Sequence, residues 1–179
     1  VMGLATGRTM RGVYGFLTDE EKKKPGLFRN ATFVQLDEVI LKFVDEGIFS
    51  KELRDLFLER LEGGYGAFIS IDAFVEDAAK EAAEYLEKVL NTGGIDLQLL
   101  GIGVNGHIGY NEPGSEEHSS CRVVCLASTT IEQAGFPLGS MGITLGVKDI
   151  LNSKKIVLIA TGESKAPAVT QTLKSAPSL

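Results

Sequence analysis

A histidine and a glutamate lie close together in a glycine-rich loop, where they could transfer protons. His107 and Glu112 fall within residues 101–114, a segment that follows an apolar run and also contains Asn105. The unperturbed pKa of histidine, about 6.5, suits an imidazole to both giving and taking a proton near neutral pH. If the loop folds back, Glu112 can pair with the imidazole and Asn105 can orient it. The alternative is a structural histidine, with Glu112 capping a turn before Pro113.

A second candidate for proton transfer ends an apolar run earlier in the chain. Asp37 follows residues 31–36 and could act as a general base, and Glu38 comes directly after it. Adjacent side chains on a strand point to opposite faces, so at most one of the two acids can face a given crevice. The alternative is that both acids simply begin a polar loop.

Two further turns are suited to an anion. Thr6, Gly7 and Thr9 lie between an apolar run and a predicted helix, where free N–H groups and the positive end of the helix dipole attract negative charge. Thr9 could equally serve only as the helix N-cap. Lys165 follows the small-residue turn 161–164, either to hold a phosphate or as an ordinary surface lysine. Together with the acid and the histidine loop, these turns predict a sugar-phosphate site.

The same glycine-rich loop contains a false signal for a dinucleotide. Residues 101–106 satisfy the pattern G-x-G-x-x-G after a predicted strand. That fingerprint also requires a helix opening at the third glycine and an acidic residue about 20 positions later. Here Gly109 and Pro113 break any helix, and residues 125–128 contain no acid. The sequence therefore argues against a nucleotide cofactor.

Composition restricts the class of protein. The chain has 179 residues, 44% of them hydrophobic, which is enough apolar content to form the core of one domain. Its net charge of −6 is unfavourable for binding nucleic acid or anionic lipid. No apolar stretch approaches the roughly 18 residues that a membrane span requires. Cys121 and Cys125 are predicted to be two buried free thiols of a cytoplasmic protein.

Apolar runs alternate with helical patterns along the chain, which predicts an α/β domain with an open, largely parallel, Rossmann-like sheet flanked by helices. The charge run 20–24 is predicted to be a solvated connection after the first helix. The predicted strands are 1–5, 31–36, 67–71, 95–103, 122–126, 142–145 and 155–160. The predicted helices are 9–17, 50–61, 73–91 and 163–174. In such sheets, ligands bind beyond the carboxyl ends of the strands.

The loop from Gly101 to Gly114, with its Gly-His-Ile-Gly-x-Asn-Glu-Pro-Gly run, resembles the signature of the hexosamine-6-phosphate deaminase/isomerase family. The segments 4–7, 33–38, 142–146 and 161–165 occur in the family's order, so the resemblance covers nearly the whole chain as a single domain, 1–179. Relative to that family, we expect the chain to lack a first strand–helix unit and a C-terminal segment.

The resemblance implies an ammonia-releasing hydrolase that needs no metal and no organic cofactor. His107, supported by Glu112, would open the sugar ring, and Asp37 would move a proton from C2 to C1. A hexosamine 6-phosphate would become a ketohexose 6-phosphate plus ammonia. The positions that match the family's phosphate side are Thr6, Gly7, Thr9, Ser115 and Lys165. Assembly into a homo-oligomer stays open, and neither nucleic acid nor membrane is expected as a partner.

The chain departs from the family at three positions. Asn105 stands where many glucosamine-6-phosphate deaminases have Asp. The asparagine, together with the block 142–151, is more similar to the galactosamine-6-phosphate branch of the family. Arg8 replaces a small residue, and Phe136 stands about where the glucosamine branch has a phosphate-binding arginine, so Lys165 would take a larger share of the phosphate.

Two other functions remain as alternatives. A 6-phosphogluconolactonase would keep the Gly-His pair but not the Asn-Glu-Pro run at residues 111–113. A non-catalytic sugar-phosphate sensor would need neither Asp37 nor Glu112, and both are present.

Overall fold

In the computed structural model, which describes residues 1–41 and 47–174, the chain forms eight strands and six α-helices. The strands are β1 Met2–Leu4, β2 Thr32–Gln35, β3 Asp37–Ile40, β4 Ala67–Ile69, β5 Leu97–Leu100, β6 Arg122–Cys125, β7 Met141–Thr144 and β8 Ile156–Leu158. The helices are α1 Arg8–Lys23, α2 Ile48–Leu56, α3 Ala78–Asn91, α4 Ser128–Ala134, α5 Val147–Leu151 and α6 Ala166–Lys174. Short 3₁₀ helices cover Leu58–Arg60 and Glu163–Lys165.

The predicted parallel sheet is confirmed, and it consists of five strands in the order β4-β2-β1-β5-β8. A second sheet, β3-β7-β6, is antiparallel and was not predicted. The chain passes from the first sheet to the second at Leu36, whose N–H bonds to the Leu4 carbonyl and whose carbonyl accepts from the Leu145 N–H, each at 2.9 Å. Asp37 therefore begins a strand, and the alternative of a polar loop is wrong.

The charge run after the first helix is not a solvated connection, because α1 continues through it to Lys23. Glu21 is fully buried and accepts hydrogen bonds from the N–H groups of Gly26 at 2.8 Å and Gly63 at 3.0 Å. The exposed side of this turn has pairs three residues apart, such as Lys23 with Glu20 at 2.6 Å, which favour helix. Composition cannot distinguish a buried carboxylate that accepts hydrogen bonds from two turns from a carboxylate that faces solvent.

Local capping also moves the other helix boundaries. The predicted helix 73–91 begins only at Ala78, because the Asp77 carboxylate accepts from the N–H groups of Ala79 and Lys80 and so caps it. The predicted helix 50–61 begins earlier, at Ile48, and is divided after Leu56. Helices α4 and α5 were not predicted; they have seven and five residues, which is too short for a clear periodic signal.

One large core lies between the parallel sheet and its helices. Tyr14 of α1 stacks on Phe57 with ring centroids 5.1 Å apart, and Phe33 of β2 meets Phe57 edge-on at 5.3 Å. Cys121 is partly buried and Cys125 is exposed on β6, so the expectation of two buried thiols is wrong for Cys125. Among the described residues, none of the helices combines the length and the apolar character that crossing a membrane requires.

Candidate active site

A cavity of about 550 Å³ opens where three parallel strands end. The loops that follow β1, β5 and β8 form its floor, and β3 and α4 supply further side chains. This is the edge of the sheet at which open α/β folds bind ligands. Of the site residues predicted from the sequence, those that line this cavity are Thr6, Gly7, Thr9, Asp37, His107 and Lys165. Asn105, Glu112 and Ser115 are not among the lining residues.

Asp37 lies at the switch between the two sheets, with its side chain 7% exposed. Burial, and secondarily the charge of neighbouring Glu38, raises the pKa of Asp37 to about 7. Loss of hydration disfavours the charged form of a carboxyl, and a nearby like charge disfavours it further. Its pKa is therefore near neutral pH, where a general base is most effective.

The histidine loop folds back as its spacing suggests. The Nδ1 atom of His107 lies 3.6 Å from Oε2 of Glu112, and a Cβ on Gly103 would lie 2.4 Å from the imidazole, so this close approach requires glycine. Burial lowers the pKa of His107, the Glu112 carboxylate opposes that effect, and the charge of Lys165 adds to it. The imidazole is thus favoured in its neutral form, ready to accept a proton.

Asn105 contacts Glu112 rather than the imidazole. Its amide nitrogen donates to Oε2 of Glu112 at 2.7 Å, and its Oδ1 accepts from the backbone N–H of His107 at 3.2 Å. The other carboxylate oxygen of Glu112 accepts from the hydroxyl of Thr130 at 2.9 Å. Glu112 is therefore fixed from both sides, and Asn105 positions His107 through the backbone N–H of that residue and through Glu112.

Another part of the cavity wall is suited to an anion. Gly7, with φ +104, is the N-cap of α1 in place of Thr9, and the first turn of α1 contains no acidic residue. The hydroxyls of Thr9 and Thr161 lie 3.0 Å apart, which joins the start of α1 to the loop after β8. Burial and the nearby charge of Arg8 lower the pKa of Lys165. Free N–H groups and two cations thus face the same space.

Ser115 lies apart from this group. Its hydroxyl accepts a hydrogen bond of 3.4 Å from Nη2 of Arg122, and the same guanidinium donates to Oδ1 of Asn111 at 2.9 Å. These contacts hold the end of the histidine loop against β6. In this structure Ser115 stabilises the loop and does not face the cavity.

Sequence reasoning missed an aromatic wall formed by Phe49, Tyr110 and Phe136. The ring of Phe49 lies 6.0 Å from Tyr110 and 6.4 Å from Phe136, centroid to centroid, and all three line the cavity. Only Phe136 had been singled out, as the residue in place of an arginine. No signal in the sequence marked Phe49 or Tyr110, because aromatic side chains there are equally typical of a core.

The arrangement can exchange protons with a small anionic substrate. A base with a pKa near neutral and a neutral imidazole share one cavity with the N-terminus of α1, Arg8 and Lys165, which could hold an anion. Among residues 1–41 and 47–174, no group of three or more His, Cys, Asp or Glu side chains could hold a metal ion. General acid–base steps of this kind contribute typically 10²–10⁴-fold each.

Comparison with known proteins agrees with this chemistry. A family model described as "Glucosamine-6-phosphate isomerases/6-phosphogluconolactonase" matches residues 1–178. The glucosamine-6-phosphate deaminase of Clostridium novyi (strain NT) is 36% identical over 181 residues, covering 97% of this chain and 75% of the relative. Glucosamine-6-phosphate deaminase 1 of Bacillus subtilis (strain 168) is 35% identical over 181 residues, with the same coverage of 97% and 75%.

Solved structures show the same fold. A monomeric glucosamine-6-phosphate deaminase superposes with a TM-score of 0.87 at 33% identity, over 99% of this chain and 76% of that one. The 6-phosphogluconolactonase of Thermotoga maritima superposes with a TM-score of 0.74 at 19% identity, over 98% of this chain and 76% of that one. At that identity the second likeness concerns the fold alone.

Proposed function

We propose that this chain, which belongs to the glucosamine-6-phosphate isomerase/6-phosphogluconolactonase family, converts a hexosamine 6-phosphate into a ketohexose 6-phosphate and ammonia. The observation that carries this proposal is the presence of Asp37 and His107 in one cavity with an anion-binding end. The names of the relatives support deamination over lactone hydrolysis. So does the retained Asn111-Glu112-Pro113 run, whose glutamate is fixed beside the imidazole.

The anion-binding end would hold the phosphate. The N-terminus of α1 and Lys165 offer N–H groups and positive charge there, with Thr6 and Thr9 adding hydroxyls. Fixing the phosphate places the other end of an extended hexose against the acid–base residues. Holding a reactant in a productive position removes much of the entropic cost of the reaction.

The chemical steps follow from the two proton-transfer groups. His107 exchanges a proton with the ring oxygen, which opens the ring to the aldehyde, and Glu112 stabilises the transient imidazolium. Asp37 removes the C2 proton while O1 gains a proton, which gives an enolamine. Asp37 then returns its proton at C1 while the amine nitrogen loses one, which leaves an imine at C2. Water adds to that imine and ammonia leaves. The sum is hexosamine 6-phosphate plus water giving ketohexose 6-phosphate plus ammonia.

For the sugar itself we infer the galacto epimer from Asn105 and from the block 142–151. An asparagine holds Glu112 by a neutral amide, so Glu112 is the carboxylate that balances a protonated His107. The names of the relatives favour the gluco epimer instead. The two epimers differ only at C4, so a direct comparison separates them.

The test is ammonia release from galactosamine 6-phosphate and glucosamine 6-phosphate by the full chain and its Asp37→Asn variant. Asp19→Asn is the matched control, because it removes the same charge from an exposed position on α1. Release that Asp37→Asn abolishes and Asp19→Asn leaves intact supports the enzyme, and the preferred epimer assigns the sugar. Sugar-phosphate binding without release from either epimer would instead support a sensor.

A further inference from the structure

Glu38, the residue next to the candidate base, is a fully buried carboxylate surrounded by N–H donors. Its side chain is 0% exposed. Oε2 accepts from Nε2 of Gln35 at 2.9 Å and from the backbone N–H of Ser50 at 2.9 Å. Oε1 accepts from the backbone N–H of Val39 at 3.0 Å, and the Phe49 N–H lies 3.1 Å from each oxygen. Hydrogen bonds donated to a carboxylate stabilise its negative charge.

Two of these donors belong to the first turn of α2, so Glu38 acts as the cap that this helix lacks in its own sequence. The N-cap residue is Gly47, which has no side chain to accept a hydrogen bond, and the first turn contains no acid. A Cβ on Gly47 would lie 2.6 Å from Oε2 of Glu38, so the glycine allows the carboxylate to approach. Glu38 thereby fixes Phe49, which forms part of the aromatic wall of the cavity.

Asp37 and Glu38 point to opposite faces of β3, yet both are buried. The side chain of Asp37 faces the cavity, and that of Glu38 faces α2. We propose that Glu38 is a positioning residue: a buried carboxylate behind the reaction site that holds the start of α2, anchors the cavity wall at Phe49 and sets the electrostatic surroundings of the adjacent Asp37. The proposal deepens the proposed function and rests on it where catalysis is the readout.

The other titratable groups around Asp37 do not supply this charge. Tyr14 of α1, Tyr85 of α3 and Tyr110 of the histidine loop face it, and burial raises the pKa of each, so the phenols stay neutral. His107 and the cations Arg8 and Lys165 line the same cavity, but the effect on the pKa of Asp37 comes from burial first and then from Glu38. Removing the charge of Glu38 should therefore weaken the base.

The experiment compares Glu38→Gln with two matched controls, by the pH dependence of kcat/KM for ammonia release. Glu38→Asp keeps the charge and shortens the side chain. Ser50→Ala removes the 3.0 Å bond from Oγ of Ser50 to the Gly47 carbonyl and disturbs the same helix start without changing charge. We expect the Glu38→Gln substitution to shift the acidic limb of the profile of kcat/KM against pH to lower pH, by on the order of one pH unit. In both control variants the acidic limb of this pH profile should stay close to its wild-type position, even where kcat falls.

A second measurement does not depend on catalysis, and the amide spectrum of the same samples shows whether each variant is folded. In chains labelled with ¹³C at Asp and Glu carboxyl groups, the titration midpoint of Asp37 should lie near neutral pH in wild type, at a lower pH in Glu38→Gln, and at the wild-type position in Ser50→Ala. The proposal would be overturned if neither the pH profile nor the Asp37 titration moved in Glu38→Gln, or if both moved equally in Ser50→Ala. If the wild type releases no ammonia, the proposed function fails, and the carboxyl titration still decides the role of Glu38.

Discussion

Replacing the candidate base Asp37 by asparagine should remove activity and, above neutral pH, make the protein more stable. Asp37 is 7% exposed, and in the folded chain burial raises the pKa of its carboxyl from 3.8 to about 7. An ionised Asp37 is thus held in an environment that favours the neutral acid. An amide of nearly the same shape remains neutral at every pH, so the variant avoids this cost.

The sign follows from proton linkage. Between pH 3.8 and about 7 the folded state binds a proton at Asp37 that the unfolded state has released. The contribution of Asp37 to stability is therefore fully present below the unfolded pKa and is lost as the pH rises through the folded pKa. At about 1.4 kcal/mol per pH unit, the difference gives an upper limit of about 4 kcal/mol by pH 8. That is a large part of the roughly 5–15 kcal/mol that stabilises a domain.

The assay is urea unfolding of wild type, Asp37→Asn and Asp19→Asn at pH 5 and pH 8. We expect Asp37→Asn to be more stable than wild type at pH 8, by between about 1 and 4 kcal/mol, and to have most of that gain gone at pH 5. Asp19→Asn lies on the exposed face of α1 and should stay within about 0.5 kcal/mol of wild type at both values. A variant whose stability difference is the same at both pH values would refute the reasoning.

Three further predictions concern the rest of the site and the core. Glu112→Gln removes the charge that opposes the lowering of the His107 pKa, so the pKa of His107 should fall further and kcat should drop about 10²-fold. The pKa is followed by NMR, and an unchanged titration of His107 would contradict this prediction. Lys165→Met should raise the inhibition constant of inorganic phosphate by about tenfold, and an unaltered constant would place the phosphate elsewhere. Phe57→Ala removes the ring that stacks on Tyr14 and should lower the free energy of unfolding, measured in urea, by about 3–5 kcal/mol. A loss below about 1 kcal/mol would mean that neighbouring side chains repack into the cavity.

Much of the fold could be predicted from local pattern. Apolar-rich runs predicted the five strands of the parallel sheet, since hydrophobic side chains dominate each run and Gly or polar residues follow it. Helix α3 was predicted as an element but not at its start, because nothing in the composition of the four preceding residues, 73–76, excludes them from the helix that Asp77 caps. Boundaries depend on single capping bonds, which composition does not specify.

The candidate site was partly predictable for a similar reason. Asp37 and His107 each follow a predicted strand, and parallel strands bring their carboxyl ends to one edge of the sheet. The contact between Thr130 and Glu112 joins residues 18 positions apart through α4, a helix that the sequence did not reveal. Likewise, nothing near Ser115 indicated that Arg122 would hold it outside the cavity.

The sequence by itself determined the alternation of strands and helices, the family signature in the histidine loop and the types of side chain that could do chemistry, because each of these lies in a short stretch of chain. Only the tertiary structure decided that the chain changes sheets at Leu36, that Asp37 and Glu38 are both buried, and that Asn105 contacts Glu112. Strand pairing, burial and the resulting pKa of Asp37 depend on partners far away in sequence, such as Thr144 opposite Asp37 and Ser50 against Glu38. Those contacts form only when the whole domain packs.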